Sequence, residues 1–172
     1  VGIVGLIIPW NFPLIVISER LPFILAAGNS VIIKPSEYAS LSIIYLIKIL
    51  RKAGLPKSTI NILFGKGERI GKMIVKNPDI NMISFTGSTT VGKKIINASA
   101  SKVKRLNLEL GGKNPIVVFN DADIDNSVKI VIKSFTANAG QACVATSRLL
   151  IQKKIKKIFI NKLIKKLKII KS

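Results

Sequence analysis

The sequence contains one cysteine and no histidine. The cysteine ends the run Asn138-Ala139-Gly140-Gln141-Ala142-Cys143, and a carboxylate stands upstream in Glu109-Leu110-Gly111-Gly112-Lys113. A lone thiol often serves as a small buried apolar residue. Here glycine and glutamine precede it, and glycine lets backbone approach a ligand closely. A thiol just past a tight turn can aim its sulfur into a cleft. Paired with a carboxylate on a Gly-Gly turn, it suits a nucleophile served by a separate base. The absence of histidine excludes Ser-His-Asp and Cys-His catalysis within this chain. One cysteine and no histidine leave mostly carboxylates for a metal, so no metal site is expected.

Three other turns have chemistry in them. Thr86-Gly87-Ser88-Thr89 lies between a strand-like run and a helix-like run, where free N–H groups and the helix dipole suit a phosphate. Ser88 equally fits an ordinary helix cap. Lys34 and Glu37 share one turn and could clamp a sugar's hydroxyls, the lysine donating and the glutamate accepting. A carboxylate there would repel a 2′-phosphate, which favours NAD over NADP; the plainer reading is a surface ion pair of little worth. Asn11, between Pro9 and Pro13, is a rigid amide donor of the kind that suits a developing oxyanion, although asparagine commonly serves turns alone. The glycine fingerprint of a standard dinucleotide fold should follow the first strand. That turn is Pro9-Trp10-Asn11-Phe12-Pro13, with no glycine, so the conventional fingerprint is absent.

The elements that must position these turns follow from apolar periodicity. Strands are predicted over Val1–Ile8, Ser30–Ile33, Ile60–Phe64, Met82–Phe85 and Arg105–Leu108. Helices are predicted over Leu14–Ala27 after Pro13, Ser40–Ala53, a short segment ending near Lys76, and Val91–Ala100. Strands joined through such helices run parallel, so the turns gather along one rim, where open α/β sheets bind ligands. A second unit follows: a strand at Ile116–Phe119, a helix start flanked by Asp121, Asp123 and Asp125, a helix over Val128–Asn138, a strand at Arg148–Gln152 and a helix from Ile155 to Ile170. Acidic residues at a helix start favour its dipole, and capping is preferred here to metal binding.

At 172 residues and 48% hydrophobic, the chain can bury a real core. It starts at Val1 rather than Met and ends in a lysine-rich run, and a fragment of a longer protein is expected. The net charge of +20 would suit a phosphate-bearing partner or an acidic membrane. Yet aromatics are only 6% and none interleave with the basic runs, so stacking on bases is not supported and no nucleic-acid partner is expected. The lysine-rich terminal helix reads as a solvated face over an apolar stripe rather than a membrane anchor. Pro9, Asn11 and Pro13 argue against a membrane span in the uncharged first segment. One cysteine means no internal disulfide, which fits a reducing, cytoplasmic setting.

Pro9-Trp10-Asn11-Phe12-Pro13, Lys34-Pro35-Ser36-Glu37, Phe85-Thr86-Gly87-Ser88-Thr89, Glu109-Leu110-Gly111-Gly112-Lys113-Asn114-Pro115 and Gly140-Gln141-Ala142-Cys143 resemble, in order and spacing, motifs of the aldehyde dehydrogenase superfamily. The resemblance covers essentially the whole chain. It implies an open parallel-sheet Rossmann-like cofactor domain over 1–110 and the start of an α/β catalytic domain over 111–172, the central piece of a longer, hydrolytic NAD(P)-dependent enzyme that forms homo-oligomers. It implies that Cys143 attacks the aldehyde, that Asn11 and the Cys143 N–H hold the oxyanion, that hydride leaves for the nicotinamide, and that Glu109 activates the water that hydrolyses the thioester. Ile8, Pro9, Trp10, Lys34, Ser36, Glu37, Gly67, Gly87, Ser88 and Leu110 would line the site for NAD, with NADP as the other possibility. Without histidine, backbone dipoles, the bound cofactor or a cation must favour the thiolate, and Arg20 is a candidate cation. The alternative is a non-catalytic nucleotide-binding remnant of such an enzyme.

Overall fold

The computed structural model describes residues 1–169. They form two compact units, Val1–Gly111 and a second beginning at Gly112.

The first unit is built on five parallel strands: β1 (Ile3–Ile7), β2 (Ser30–Lys34), β3 (Ile60–Ile62), β4 (Ile80–Gly87) and β5 (Arg105–Leu110), in the order β3-β2-β1-β4-β5. A strand buried on both faces must be apolar at every position. In β1, Val4, Leu6 and the following Ile8 join the core on one face, while Ile3 and Ile7 pack on the other. Helices α1 (Pro13–Ser18), α2 (Leu21–Ala26) and α3 (Leu41–Lys52) supply Ile17, Leu21, Ile43 and Ile47 to the first face. Helices α4 (Lys72–Lys76) and α5 (Thr89–Ser99) supply Ile74, Val75 and Ile95 to the second. The expected α/β class with an open parallel sheet is therefore observed.

Two local features differ from the periodicity. The single helix predicted over Leu14–Ala27 is two short helices that break at Glu19-Arg20. Pro22 explains the break, since it lacks an N–H and its ring would clash with the carbonyl four residues earlier; the chain restarts with Pro22 in the first turn of α2. Strand β4 runs past both predicted ends because it pairs with β1 on one side and with β5 on the other, as far as Gly87 opposite Leu110. At its start Asn81 occupies a register shift against β1, and its side-chain oxygen accepts the Ile3 N–H at 2.9 Å. Lys104, nearly buried, donates to the carbonyls of Asn77 and Ile80 and so ties the end of α4 to the start of β4; burial pushes its ammonium below the usual lysine range.

The second unit pairs β6 (Asn114–Val118) with β7 (Thr146–Ile151) in parallel. Helices α6 (Ile124–Thr136) and α7 (Lys156–Leu167) pack Val128, Val131, Phe159 and Leu163 against Val118. Helix α6 starts earlier than predicted because Asp123 caps it, accepting the Asn126 N–H at 3.1 Å. The predicted terminal helix ends at Leu167, and Ile170, its last predicted residue, lies outside the described residues. Lys162 donates to Asp125 at 2.7 Å, and this bond holds the Asp125 carboxyl below the usual carboxylate range. Among the described residues no helix is long and apolar enough to cross a membrane.

Gly5 is buried in the central strand, where a Cβ would lie 2.6 Å from Ile74 Cγ2 and 3.0 Å from Ile83 Cδ1. Both neighbours are core side chains. Gly5→Ala is expected to lower stability by about 1–2 kcal/mol, overpacking outweighing the entropy gain in the unfolded chain. Urea unfolding checks this; an unchanged or raised midpoint would show that the core yields freely at this position.

Candidate active site

Because β1, β2, β4 and β5 are parallel, the turns that follow them lie along one edge of the sheet. The strand order reverses between β1 and β4: the chain moves from β1 outward to β2 and β3, then returns to the other side of β1 for β4 and β5. Adjacent strands whose connections leave in opposite directions open a crevice at their carboxyl ends. Ile8, Pro9, Trp10 and Asn11 follow β1 at this point, and Gly87 and Ser88 close β4. Ile8 is buried, with its N–H bonded to the Lys34 carbonyl at 3.1 Å. Trp10 is 46% exposed and Asn11 is half-buried.

Lys34 ends β2 and is only 3% exposed. Its ammonium donates to the Pro35 carbonyl at 3.1 Å and to Glu37 Oε2 at 3.0 Å. The plain reading of a surface ion pair therefore applies to only one partner: the carboxylate faces solvent while the ammonium is buried. Two of the three ammonium donors have these partners. The Glu37 backbone N–H, and then the Lys34 ammonium, hold the Glu37 carboxyl below the usual carboxylate range. Ser36 is buried, and its hydroxyl accepts the Tyr38 N–H at 3.3 Å, which fixes the turn between the two charges.

Ser88 caps α5, accepting the Val91 N–H at 3.3 Å. Gly87 has the Phe85 ring close beneath it, and a Cβ there would meet the ring at 2.4 Å. In β5 the leucines 106, 108 and 110 turn toward the core, and Leu110 packs beneath Gly92 of α5. Strand alternation then leaves Glu109 on the exposed face, opposite Thr86 of β4. Gly67 opens a π-helical turn, Gly67–Gly71, after β3, and a Cβ there would meet nothing within 4 Å. Arg20, at the break between α1 and α2, is turned back onto α1: it donates to the Val16 carbonyl at 3.0 Å and to Glu19 at 3.4 Å.

In the second unit the thiol of Cys143 is exposed. Three residues upstream, the chain makes a left-handed turn: Asn138 (φ 51°, ψ 41°), Ala139 (φ 54°, ψ 32°) and Gly140 (φ 75°). Non-glycine residues in this region store strain, and such strain tends to collect at functional loops. Downstream, Asn114 at the start of β6 donates through Nδ2 to the Cys143 carbonyl at 2.7 Å and to the Ala145 carbonyl at 3.4 Å. In the sequence Asn114 stands out only by its place beside the Gly111-Gly112 turn, because a contact across 29 positions leaves no periodicity to read. Among the described residues no group of three or more His, Cys, Asp or Glu could hold a metal.

A parallel sheet ordered 3-2-1-4-5 with its polar turns at the switch point defines a Rossmann-like α/β fold. The profile of the Aldehyde dehydrogenase family matches residues 1–172, and the chain belongs to that family. Human 2-aminomuconic semialdehyde dehydrogenase is 44% identical over 164 residues, covering 95% of this chain and 34% of that protein. Betaine aldehyde dehydrogenase of Bacillus subtilis (strain 168) is 43% identical over 171 residues, covering 99% of this chain and 35% of that protein. The crystal structure of Staphylococcus aureus betaine aldehyde dehydrogenase in complex with NAD+ superposes with a TM-score of 0.96 at 39% identity, covering 99% of this chain and 34% of that one. The chain thus spans about a third of the length of the curated relatives it matches.

The Lys34–Glu37 pair sets a pH dependence. A carboxyl whose folded value is lowered contributes stability that is fully present above the unfolded glutamate value, about 4.3, and is lost as pH falls through the lower folded value. Glu37→Gln is therefore expected to cost about 1 kcal/mol at pH 7, discounted for the exposed carboxylate, and nothing once the wild-type carboxyl is protonated. Unfolding midpoints of both proteins between pH 3 and 7 check this; a difference that does not change with pH would remove the ion pair from the account.

Proposed function

We propose that the whole protein oxidises an aldehyde to a carboxylic acid with NAD+, by covalent catalysis at Cys143. The observation that supports this reading most is the switch point: a family member in which β1, β2, β4 and β5 end at one rim that carries the Asn11 amide, the Lys34 ammonium, the Glu37 carboxylate and the N-terminus of α5. The residues suit a dinucleotide. Lys34 has a third donor and Glu37 has free acceptor capacity for ribose hydroxyls. Gly87 and Ser88 lead into α5, whose first N–H groups suit a phosphate. Pro9 and Trp10 offer apolar surface, Ile8 and Leu110, whose side chains pack into the core, would line the site through their backbone, Ser36 fixes the Lys34–Glu37 turn, and Gly67 leaves backbone open to approach. The Glu37 carboxylate disfavours a 2′-phosphate, so NAD is the assigned cofactor in preference to NADP.

The roles follow from the chemistry of the side chains. The Cys143 thiolate adds to the carbonyl carbon, a C–S bond forms, and the carbonyl electron pair moves to oxygen. The Asn11 amide and the Cys143 N–H are assigned to that oxygen. Nicotinamide, if held by these residues, would supply the hydride acceptor, and loss of hydride from the adduct carbon leaves a thioester on Cys143. Glu109, with an exposed carboxylate, takes a proton from water as the water adds to the thioester carbon, and the thiolate leaves. The second unit then belongs to a catalytic domain and the first is the cofactor domain. The substrate class is an aldehyde, a cytoplasmic location suits the single thiol, and homo-oligomer assembly is carried over from the resemblance, with no nucleic-acid or membrane partner assigned.

Three variants of the full-length protein test the reading through aldehyde-dependent NADH absorbance. Cys143→Ala is expected to abolish it. Asn11→Ala should lower kcat by about 10²–10³-fold, the usual loss for one oxyanion donor. Glu109→Gln should give one fast turnover followed by a steady rate about 100-fold lower, since acylation survives and deacylation stalls. Turnover retained in Cys143→Ala would contradict the reading outright.

A further inference from the structure

The thiol loop is held at both ends by features that the roles above do not use. Upstream is the left-handed turn Asn138–Gly140, where a Cβ on Gly140 would lie 3.1 Å from the Phe135 carbonyl. Downstream, the Thr146 N–H donates to Ser134 Oγ at 3.3 Å, and the two hydroxyls of Ser134 and Thr146 are in contact, tying the loop's exit to α6. Between these anchors the Ala145 N–H bonds to the Ala142 carbonyl at 3.0 Å, closing a tight turn around Cys143. Asn114 Nδ2 then reaches the carbonyls of Cys143 (2.7 Å) and Ala145 (3.4 Å).

We propose that Asn114 is a positioning residue for Cys143: its amide clamps the peptide plane that follows the cysteine and so fixes the backbone from which the thiol projects. The inference rests on the reading of Cys143 as the nucleophile. The geometry accounts for the residue type. Both acceptors are carbonyl oxygens, so the clamp needs two hydrogens on one nitrogen, and asparagine is the shortest side chain that supplies them. Holding the Cys143 carbonyl sets the ψ angle of Cys143 and with it the direction of its Cα–Cβ bond relative to β6. Aspartate has the same shape but turns acceptors toward the two carbonyls. Serine retains a single donor. An order of function Asn > Ser > Ala > Asp is therefore a signature of clamping, whereas size alone would rank Asp beside Asn.

The experiment uses the full-length protein with Asn114→Ser, Asn114→Ala and Asn114→Asp, each matched to wild type by melting temperature. Hydrogen exchange is read on the peptide covering residues 142–146, and steady-state kinetics on aldehyde and NAD. The clamp predicts exchange at least about tenfold faster in Asn114→Ala. It also predicts a kcat at least about tenfold lower with KM for aldehyde and NAD within about twofold, the split left when an interaction that orients the reacting group is lost. Asn114→Ser, the variant expected to keep its fold if the others do not, should recover part of both. Unchanged exchange overturns the proposal, as does faster exchange with unchanged kcat in an active protein. If the wild type forms no NADH from any aldehyde, the reading of the reaction fails instead, and exchange alone upholds or overturns the clamp.

Discussion

Everything in the first unit depends on β1 being hydrogen-bonded in parallel to β2 on one side and to β4 on the other. Parallel pairing sends both neighbours' carboxyl ends to the same rim. Placing β4 rather than β3 beside β1 makes the chain reverse its direction of travel across the sheet. The crevice is a consequence of that reversal and needs no glycine-rich turn to exist. This is why a first turn of Pro9-Trp10-Asn11-Phe12-Pro13 is compatible with a Rossmann-like sheet: the strand order supplies the opening.

The charges at the rim illustrate how burial changes the meaning of a residue pair. Lys34 and Glu37 lie three positions apart, a spacing typical of inconsequential surface pairs. Here Lys34 is buried together with Pro35 and Ser36, and its ammonium bonds the Pro35 carbonyl as well as Glu37. The carboxylate stays at the surface, where it can meet a ligand. The pair thus joins the scaffold to the site: the lysine completes the end of β2, and the glutamate projects from it.

Much of the architecture could be read from the sequence, because parallel strands buried on both faces are apolar throughout and the connecting helices end at glycine or proline. The order of the strands could not, since Ile-Val-rich runs pair equally well with any neighbour. The helix break at Glu19-Arg20 could have been foreseen from Pro22, but the apolar stripe on either side of it reads as continuous. At the site, motif residues identified candidates one turn at a time. The burial of Lys34, the left-handed geometry at Ala139 and the reach of Asn114 to Cys143 are tertiary facts, each set by residues distant in the chain or by backbone strain that residue type does not record. Arg20, a candidate cation for the thiol, is engaged by the carbonyl of Val16 on the preceding helix α1.

The central claim is that the crevice between β1 and β4 holds the nucleotide, and the chain carries its own reporter there, since Trp10 is its only tryptophan. The most direct measurement is a titration of NAD into this chain followed in parallel by Trp10 emission and by calorimetry. The account predicts a saturable emission change that tracks the heat of binding, with both weakened at least about tenfold in a folded Lys34→Ala variant, the loss of one charge-assisted contact. NAD at millimolar concentration leaving both signals flat, or binding that is indifferent to Lys34, would contradict it.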